Sequence, residues 1–201
     1  MLSTLEYRDA NALQIERFAK VLSTSYTVPD TVVTNEDIIK RFDLIATDRA
    51  VQHAIGIKER RFADEQTMVS DMLYTTAKKC LDDAGVAPEK IDRVIYTKLM
   101  GDHIVPATSI QVLKKLGINR GVPAFDILAA CSGFVHLLDM AIRYIDAGDD
   151  YVLILGGDIS TRLASTKSKK DTRTIFLQGD AVVGMLLGKS DVQHFLASYL
   201  Y

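Results

Sequence analysis

The sequence contains no tryptophan, only two cysteines, and no apolar run that approaches membrane-spanning length. Two cysteines make neither a disulfide framework nor a metal-ligand cluster, so a reducing cytoplasm is the default expectation. The N-terminal stretch with Glu6, Arg8 and Asp9 does not have the pattern of a signal peptide. These absences argue against secreted, membrane-embedded and metal-dependent proteins. We therefore predict a soluble, cytoplasmic protein that binds no metal and no resident cofactor.

The balance of charged residues excludes two classes of partner. The chain has 24 basic and 26 acidic residues, well mixed, for a net charge of −2. This mixture lacks the basic patch that binding to nucleic acid or to a membrane surface requires, so neither partner is expected. A chain of 201 residues is long enough for one domain with a sizeable core.

Stretches with helical periodicity and stretches with strand character alternate along the chain. This alternation is typical of an α/β domain, and it predicts a largely parallel central sheet. The expected helices cover residues 34–42, 47–55, 67–84, 106–116 and 132–147, and the expected strands cover residues 15–25, 57–62, 91–98, 152–155, 181–187 and 192–201, with one more strand that begins at residue 124.

Cys131 stands where a short apolar strand is predicted to turn into a helix. Helix N-termini carry unpaired amides and the positive end of the helix dipole, so a thiolate at this position is stabilised. Its neighbours Ala129, Ala130, Ser132 and Gly133 are small enough to let a substrate approach the sulfur. This is the geometry of a covalent nucleophile. From spacing alone, an ordinary buried core cysteine is an equally good interpretation.

The other cysteine, Cys80, lies on the apolar face of the helix predicted over residues 67–84, and we interpret it as a core residue. The helix after Cys131 has a single narrow polar stripe that includes His136. Its apolar surface is wider than one sheet face requires, which predicts burial between two layers or against a partner. His136 is more than one turn from Cys131, so we expect a solvated or salt-linked side chain rather than a catalytic base.

Residues 160–172 are polar and include Lys167, Lys169 and Lys170. An exposed loop is the favoured interpretation, and contact with an anionic cofactor or an acidic carrier protein is a secondary one.

Four segments of the chain carry a resemblance to a known family, and they are Gly56–Arg61, Phe125–Phe134, Leu155–Asp158 and Gln178–Ala181. Taken in order, they resemble the β-ketoacyl-acyl-carrier-protein synthase III family of the thiolase superfamily. The cysteine segment is the most specific of them, and the other three are persuasive as a series. The resemblance implies the N-terminal half of a thiolase-like α/β fold over residues 1–201, with a mixed central sheet, flanking helices and a buried nucleophile helix. The C-terminal half would then be absent from this chain.

The resemblance implies an acyltransferase that performs a decarboxylating Claisen condensation in fatty acid or polyketide-type biosynthesis. An acyl primer, on coenzyme A or on acyl carrier protein, would load Cys131, and malonyl-carrier protein would then extend it. Coenzyme A enters as part of a substrate and not as a cofactor. The histidine and asparagine that assist decarboxylation belong to the C-terminal half of the family. We therefore expect this chain alone to be incomplete as a catalyst.

The resemblance also assigns two substrate-binding residues and a homodimer. Arg162 matches a basic position of the coenzyme A site, whereas Ala50 and Ala54 replace the family's tryptophan and arginine at the adenine end. Val105 replaces a phenylalanine that closes the acyl pocket across the dimer interface, which suggests a longer or branched primer. The loop around His103 resembles a dimer-interface loop, where a structural role is expected for that histidine.

Two classes of function remain open at this point. The first is a ketosynthase III-type acyltransferase, which the intact cysteine turn favours. The second is a non-catalytic or partner-dependent subunit that acts as a scaffold, which the two alanines at the adenine end favour.

Overall fold

The structure is a computed structural model that describes residues 17–163 and 172–198. A five-stranded sheet forms its centre, in the order β1-β7-β6-β4-β5, and a two-stranded sheet pairs β2 with β3. The strands are β1 (Phe18–Thr27), β2 (Thr31–Thr34), β3 (Glu59–Phe62), β4 (Arg93–Thr97), β5 (Ala124–Ile127), β6 (Tyr151–Asp158) and β7 (Ala181–Ser190). The helices are α1 (Asn35–Phe42), α2 (Asp48–Ile55), α3 (Val69–Ala84), α4 (Thr108–Lys115), α5 (Gly133–Asp146) and α6 (Thr172–Leu177).

The central sheet is mixed, as the family resemblance implies. Strand β4 is parallel to both of its neighbours, β5 and β6, while β7 is antiparallel to both β1 and β6. The expectation of a largely parallel sheet, taken from the alternation of elements, is therefore wrong. The segment between β6 and β7 returns to the same end of the sheet, so that Asp158 pairs with Ala181 and the two strands run in opposite directions.

Helices cover both faces of this sheet. Because successive side chains of a strand point to opposite faces, the apolar core consists of two clusters, one on each face. On one face, α3 and α4 pack against residues that include Val94, Tyr96 and Leu155. On the other face, α5 packs against residues that include Ile95 and Ile154. Residues 152–155 are completely buried, which confirms the prediction of a strand that is covered on both sides.

A smaller apolar cluster joins the two-stranded sheet of β2 and β3 to α1, α2 and α6. The side chain of Thr34 accepts a hydrogen bond from the Asp37 amide, and Asp37 caps Thr34 in return, which fixes the predicted start of α1. Gly56 has a φ of +85° and ends α2, as expected from its position. Helix α6 was not predicted, because its six residues are too few to show a helical period.

Helix α5 buries Leu137, Ala141 and Ile145 against the sheet, whereas Val135 is 57% exposed. The described residues thus cover one face of the helix. On its polar stripe, the guanidinium of Arg143 donates to the Asp139 carboxylate at 2.8 Å.

The end of the chain departs from the prediction of a strand over residues 192–201. Residues 193–198 have no regular secondary structure, and both edges of β7 are already occupied by β1 and β6. Phe195 instead packs against the apolar cluster beneath α5. Residues 199–201 lie outside the described residues, as do Lys167, Lys169 and Lys170 of the predicted polar loop. None of the helices in the described ranges is both long enough and apolar enough to cross a membrane.

Candidate functional site

Cys131 lies in a single 3-10 turn, Ala130–Ser132, between the end of β5 and the first residue of α5. Its side chain is exposed. Ala130 has a φ of +43°, a left-handed conformation that non-glycine residues seldom adopt and that recurs at functional sites. The strand-to-turn-to-helix geometry predicted for Cys131 is therefore present, and its sulfur is accessible at the start of a helix.

The thiol opens into a pocket of about 310 Å³ at the carboxyl ends of strands β4 and β6. This edge of an α/β sheet is where ligands usually bind, because the loops that leave the strands converge there. The pocket is lined by Thr97, Lys98, Leu99, Ala130, Cys131, Gly157, Asp158, Ser160, Gly179 and Ala181.

Cys80 differs from Cys131 in every respect that matters for reactivity. It is fully buried in the core beneath α3, and burial raises the pKa of its thiol to about 11. Because the thiolate is the reactive form, Cys80 is inert at neutral pH. The interpretation of Cys80 as a core residue is confirmed.

The turn that carries Cys131 is packed closely against β4. A Cβ atom at Gly133 would stand 1.9 Å from Oγ1 of Thr97, and a Cβ at Gly156 would stand 2.8 Å from the ring of Phe134. Neither position has room for a side chain. The small residues around the cysteine thus serve two purposes, since they leave the sulfur accessible and let α5 approach the sheet.

Asp158, at the end of β6, also lines the pocket. Its Oδ2 accepts hydrogen bonds from the amides of Leu99, Met100 and Gly101 at 2.7–3.0 Å, and its Oδ1 accepts one from the Ile159 amide. A buried carboxylate that accepts several amides is well stabilised and fixes the loop that supplies them. Asp158 therefore positions the loop that follows β4.

Asp180 has a similar role at the start of β7. Its carboxylate accepts hydrogen bonds from the amides of Ala63 and Thr161, and its own amide donates to the Arg61 carbonyl. The two-stranded sheet of β2 and β3 is thereby attached to the rim of the pocket. Both aspartates belong to segments on which the family resemblance rests, and in the structure both are loop anchors.

The other two residues assigned from the resemblance are not in the pocket. Val105 is 80% exposed on the loop after β4, and it is absent from the pocket lining. Arg162 is exposed, and its guanidinium donates to the carbonyls of Asp64, Glu65 and Thr67 at 2.6–3.3 Å. Within the described part of this chain, neither side chain is brought together with Cys131.

Sequence reasoning missed Thr97 and Lys98, which line the pocket beside Cys131. The signal was available, since both residues stand at the end of the strand predicted over 91–98. Only the pairing of β4 with β5, which brings two strand ends together, shows that these residues face the same pocket as the cysteine. In the described ranges, no three His, Cys, Asp or Glu side chains converge as a metal-ligand group.

Comparison with known proteins agrees with this geometry. The family model for 3-oxoacyl-[acyl-carrier-protein] synthase III matches residues 125–201. A β-ketoacyl-[acyl-carrier-protein] synthase III of Vibrio parahaemolyticus is 37% identical over 185 residues, which are 92% of this chain and 57% of that protein. The chain thus spans little more than half the length of the curated relatives it matches.

Solved structures give the same result for the fold. The 3-oxoacyl-[acyl-carrier-protein] synthase III of Aquifex aeolicus superimposes with a TM-score of 0.78 at 34% identity, over 87% of this chain and 55% of that one. The priming β-ketosynthase of the R1128 polyketide pathway gives a TM-score of 0.80 at 28% identity, over 89% and 52% of the two chains. The expected thiolase-like fold is therefore confirmed, and over 92% of its length this chain is similar to part of the β-ketoacyl-[acyl-carrier-protein] synthase III enzymes.

Proposed function

We propose that this protein is an acyltransferase that joins an acyl primer to malonyl-carrier protein by decarboxylating condensation, with Cys131 as the acyl acceptor. The observation that carries the proposal is the exposed thiol of Cys131 at the start of α5, inside a pocket built from segments that match the family. The biosynthetic setting is that of fatty acids or of polyketides, as the names of the relatives suggest.

The chemistry proceeds in two balanced steps. The sulfur of Cys131 attacks the thioester carbonyl of the primer, the carbon–sulfur bond of the donor breaks, and the carrier thiol leaves with the proton of Cys131. In the second step the malonyl group loses carbon dioxide, and its α-carbon attacks the acyl carbonyl and displaces the Cys131 thiolate. Leu99 and Thr97 form part of the pocket wall against which the acyl group would pack.

The primer would arrive on coenzyme A or on acyl carrier protein, and the malonyl extender on acyl carrier protein. Ala50 and Ala54 are both exposed on α2, so this helix offers no aromatic face or cation to an adenine ring at these two positions. Arg162 remains a candidate contact for the coenzyme A moiety. Its guanidinium is already bound to three carbonyls, so it would act mainly by positioning the loop of residues 64–67.

We also propose a cytoplasmic homodimer in which residues 1–201 form the N-terminal half of a thiolase-like subunit. The support lies in an exposed apolar loop, on which Ile104 is 92% and Val105 is 80% exposed, and in β5, which is an edge strand of the central sheet. Exposed edges and apolar loops of this kind are usually covered by a partner. Light scattering at micromolar concentration should give twice the subunit mass, and a monomer would contradict the proposal.

If Val105 reaches the partner's acyl pocket, its size should set the length of the primer. Val105→Phe is expected to slow loading of primers longer than four carbons by about tenfold relative to acetyl, because the ring fills space that a longer chain needs. Competition between acetyl- and octanoyl-coenzyme A measures this ratio. Val105→Leu, which adds one methylene, is the matched control and should have a smaller effect. An unchanged ratio in both variants would show that Val105 is remote from the acyl chain.

The alternative is a partner-dependent subunit that serves as a scaffold, favoured by Ala50 and Ala54 at the adenine end. One experiment separates the two functions. The purified protein is incubated with acyl-coenzyme A or acyl-carrier protein, and the modified residue is located by peptide mass spectrometry. An acyl adduct on Cys131 without any companion protein supports the acyltransferase, whereas loading that requires a companion supports the alternative.

A further inference from the structure

Lys98 is a largely covered lysine on the wall of the cysteine pocket. It directly follows β4, and its amide donates to the Ile127 carbonyl of the neighbouring strand at 3.0 Å. It lines the same pocket as Cys131, and its side chain is only 18% exposed. A lysine side chain that is largely covered by protein needs acceptors for those ammonium donors that lose water.

The described residues supply two such acceptors. Oδ2 of Asp126 lies 3.2 Å and the carbonyl of His103 lies 3.4 Å from the Lys98 ammonium. An ammonium has three donors, and both of these distances are at or beyond the long end of the range for a good N–H···O bond. The ammonium thus keeps the capacity to bind a further oxygen.

The Asp126 carboxylate does not fully neutralise the positive charge of the Lys98 ammonium. Its two oxygens accept hydrogen bonds from the amides of Thr108 and Ser109 at 2.8 and 2.9 Å, at the positive N-terminal end of α4. The Asp126 carboxylate is therefore shared between a helix terminus and Lys98. Asp158, the acidic residue that lines the pocket, accepts hydrogen bonds from four backbone amides and from the Tyr96 hydroxyl. The Lys98 ammonium is left as the charged donor of the pocket wall.

We propose that Lys98 determines specificity in this pocket, and that it selects acyl groups that carry an oxygen acceptor, a carboxylate or a hydroxyl, over plain alkyl groups. A plain alkyl chain would displace water from the Lys98 ammonium without accepting a hydrogen bond from it. An oxygen of the acyl group would accept that hydrogen bond. The proposal rests on the function proposed above, in that the pocket receives an acyl group. The presence of a cation beside the thiol can be tested without that function.

Iodoacetate and iodoacetamide provide this test. In both reactions the Cys131 thiolate displaces iodide, and the reagents differ only in carrying a carboxylate or a neutral amide. The ratio of their rates at Cys131, measured by peptide mass spectrometry, reports the charge that the approaching group meets. Lys98→Met keeps the length of the side chain, leaves Asp126 bonded to its two amides and removes the charge. This variant should lower the iodoacetate-to-iodoacetamide ratio about fivefold.

Two matched variants complete the experiment. Lys98→Arg keeps the charge and should retain the ratio, while Lys78→Met makes the same charge change on the outer face of α3, where Lys78 pairs with Asp82, and should not alter it. Melting temperatures of all variants verify that the pocket is folded. A ratio that is equal in the wild type and in Lys98→Met would overturn the inference.

Acyl loading then identifies which oxygen is recognised. Butyryl-, 3-hydroxybutyryl- and succinyl-coenzyme A carry acyl chains of four carbons that end in a methyl group, bear a hydroxyl or end in a carboxylate. The wild type should load at least one oxygen-bearing chain on Cys131 several-fold faster than butyryl, and Lys98→Met should remove this preference. Faster loading of butyryl than of both others would overturn the specificity while leaving the acyltransferase intact. If no thioester loads Cys131, the proposed function fails, and the alkylation ratio still decides the role of Lys98.

Discussion

Cys131→Ser is expected to abolish covalent acyl loading, with a loss of at least about a thousandfold in rate. A serine hydroxyl is a far weaker nucleophile than a thiolate unless a general base activates it. None of the side chains that line the pocket is a histidine that could serve as that base. Intact-mass spectrometry after incubation with acyl-coenzyme A measures the loaded fraction directly.

Cys80→Ala is the matched control. Its sulfur is fully buried, and the pKa of its thiol is raised to about 11, so it contributes no thiolate at neutral pH. Alanine is chosen because a buried serine hydroxyl without a partner would cost stability by itself. Loading in this variant should equal that of the wild type per folded molecule. Acyl adducts that persist in Cys131→Ser, or that disappear in Cys80→Ala, would show that Cys131 is not the acyl acceptor.

The difference between the two cysteines shows how far the sequence could be interpreted unaided. Local patterns were sufficient for α3 and α5, because a long apolar period and a glycine beyond the last turn mark a helix and its end. They placed Cys80 on the buried side and Cys131 at a strand-to-helix junction. Both predictions depend only on residues that are close to each other in the chain.

Features that depend on long-range pairing could not be predicted in this way. The direction of β7 depends on its antiparallel pairing with β6 and β1. The conformation of residues 192–198 depends on the occupied edges of β7 and on the apolar cluster beneath α5. Neither is encoded in a local period. The same limit applies to Lys98, whose ammonium meets Asp126 only because β4 and β5 are neighbours.

Asp158 could be predicted only in part from the sequence. Its motif was visible in the sequence, but its role was not, since a carboxylate after a strand is equally consistent with a catalytic acid, a metal ligand or a loop anchor. The structure resolves these alternatives through the partners of Asp158, which are four backbone amides and the Tyr96 hydroxyl. A carboxylate whose oxygens are occupied in this way positions the pocket wall.

The close approach of α5 to the sheet leads to the second large effect, which we expect for Gly133→Ala. In an ordinary helix this change would stabilise the protein by about 0.5–1 kcal/mol. Here the new Cβ would meet Oγ1 of Thr97 at 1.9 Å and its Cβ at 2.9 Å. We expect a net loss of about 1–3 kcal/mol in the free energy of unfolding, as for other overpacked core sites. Urea denaturation measures it.

The clash should also displace the nucleophile, because Gly133 follows the turn that holds Cys131. A displacement of about 1 Å is enough to slow a reaction by one to two orders of magnitude, so acyl loading is expected to fall at least about tenfold. Gly121→Ala is the control for the added methyl group. Its Cβ would meet nothing within 4 Å, so its stability should stay within about 0.5 kcal/mol of the wild type.

A double-mutant cycle identifies the clash as the cause. Thr97→Ala removes Oγ1 and Cγ2, the atoms that a Cβ at Gly133 would meet at 1.9 and 3.1 Å, and leaves only the Thr97 Cβ at 2.9 Å. Combined with Gly133→Ala it should therefore restore part of the stability, with a coupling of at least about 1 kcal/mol. Loading by Cys131 should recover in parallel, since the turn can return towards β4. If Gly133→Ala were as stable and as reactive as the wild type, or if the two changes were simply additive, the packing of α5 on Thr97 would not be what positions the cysteine.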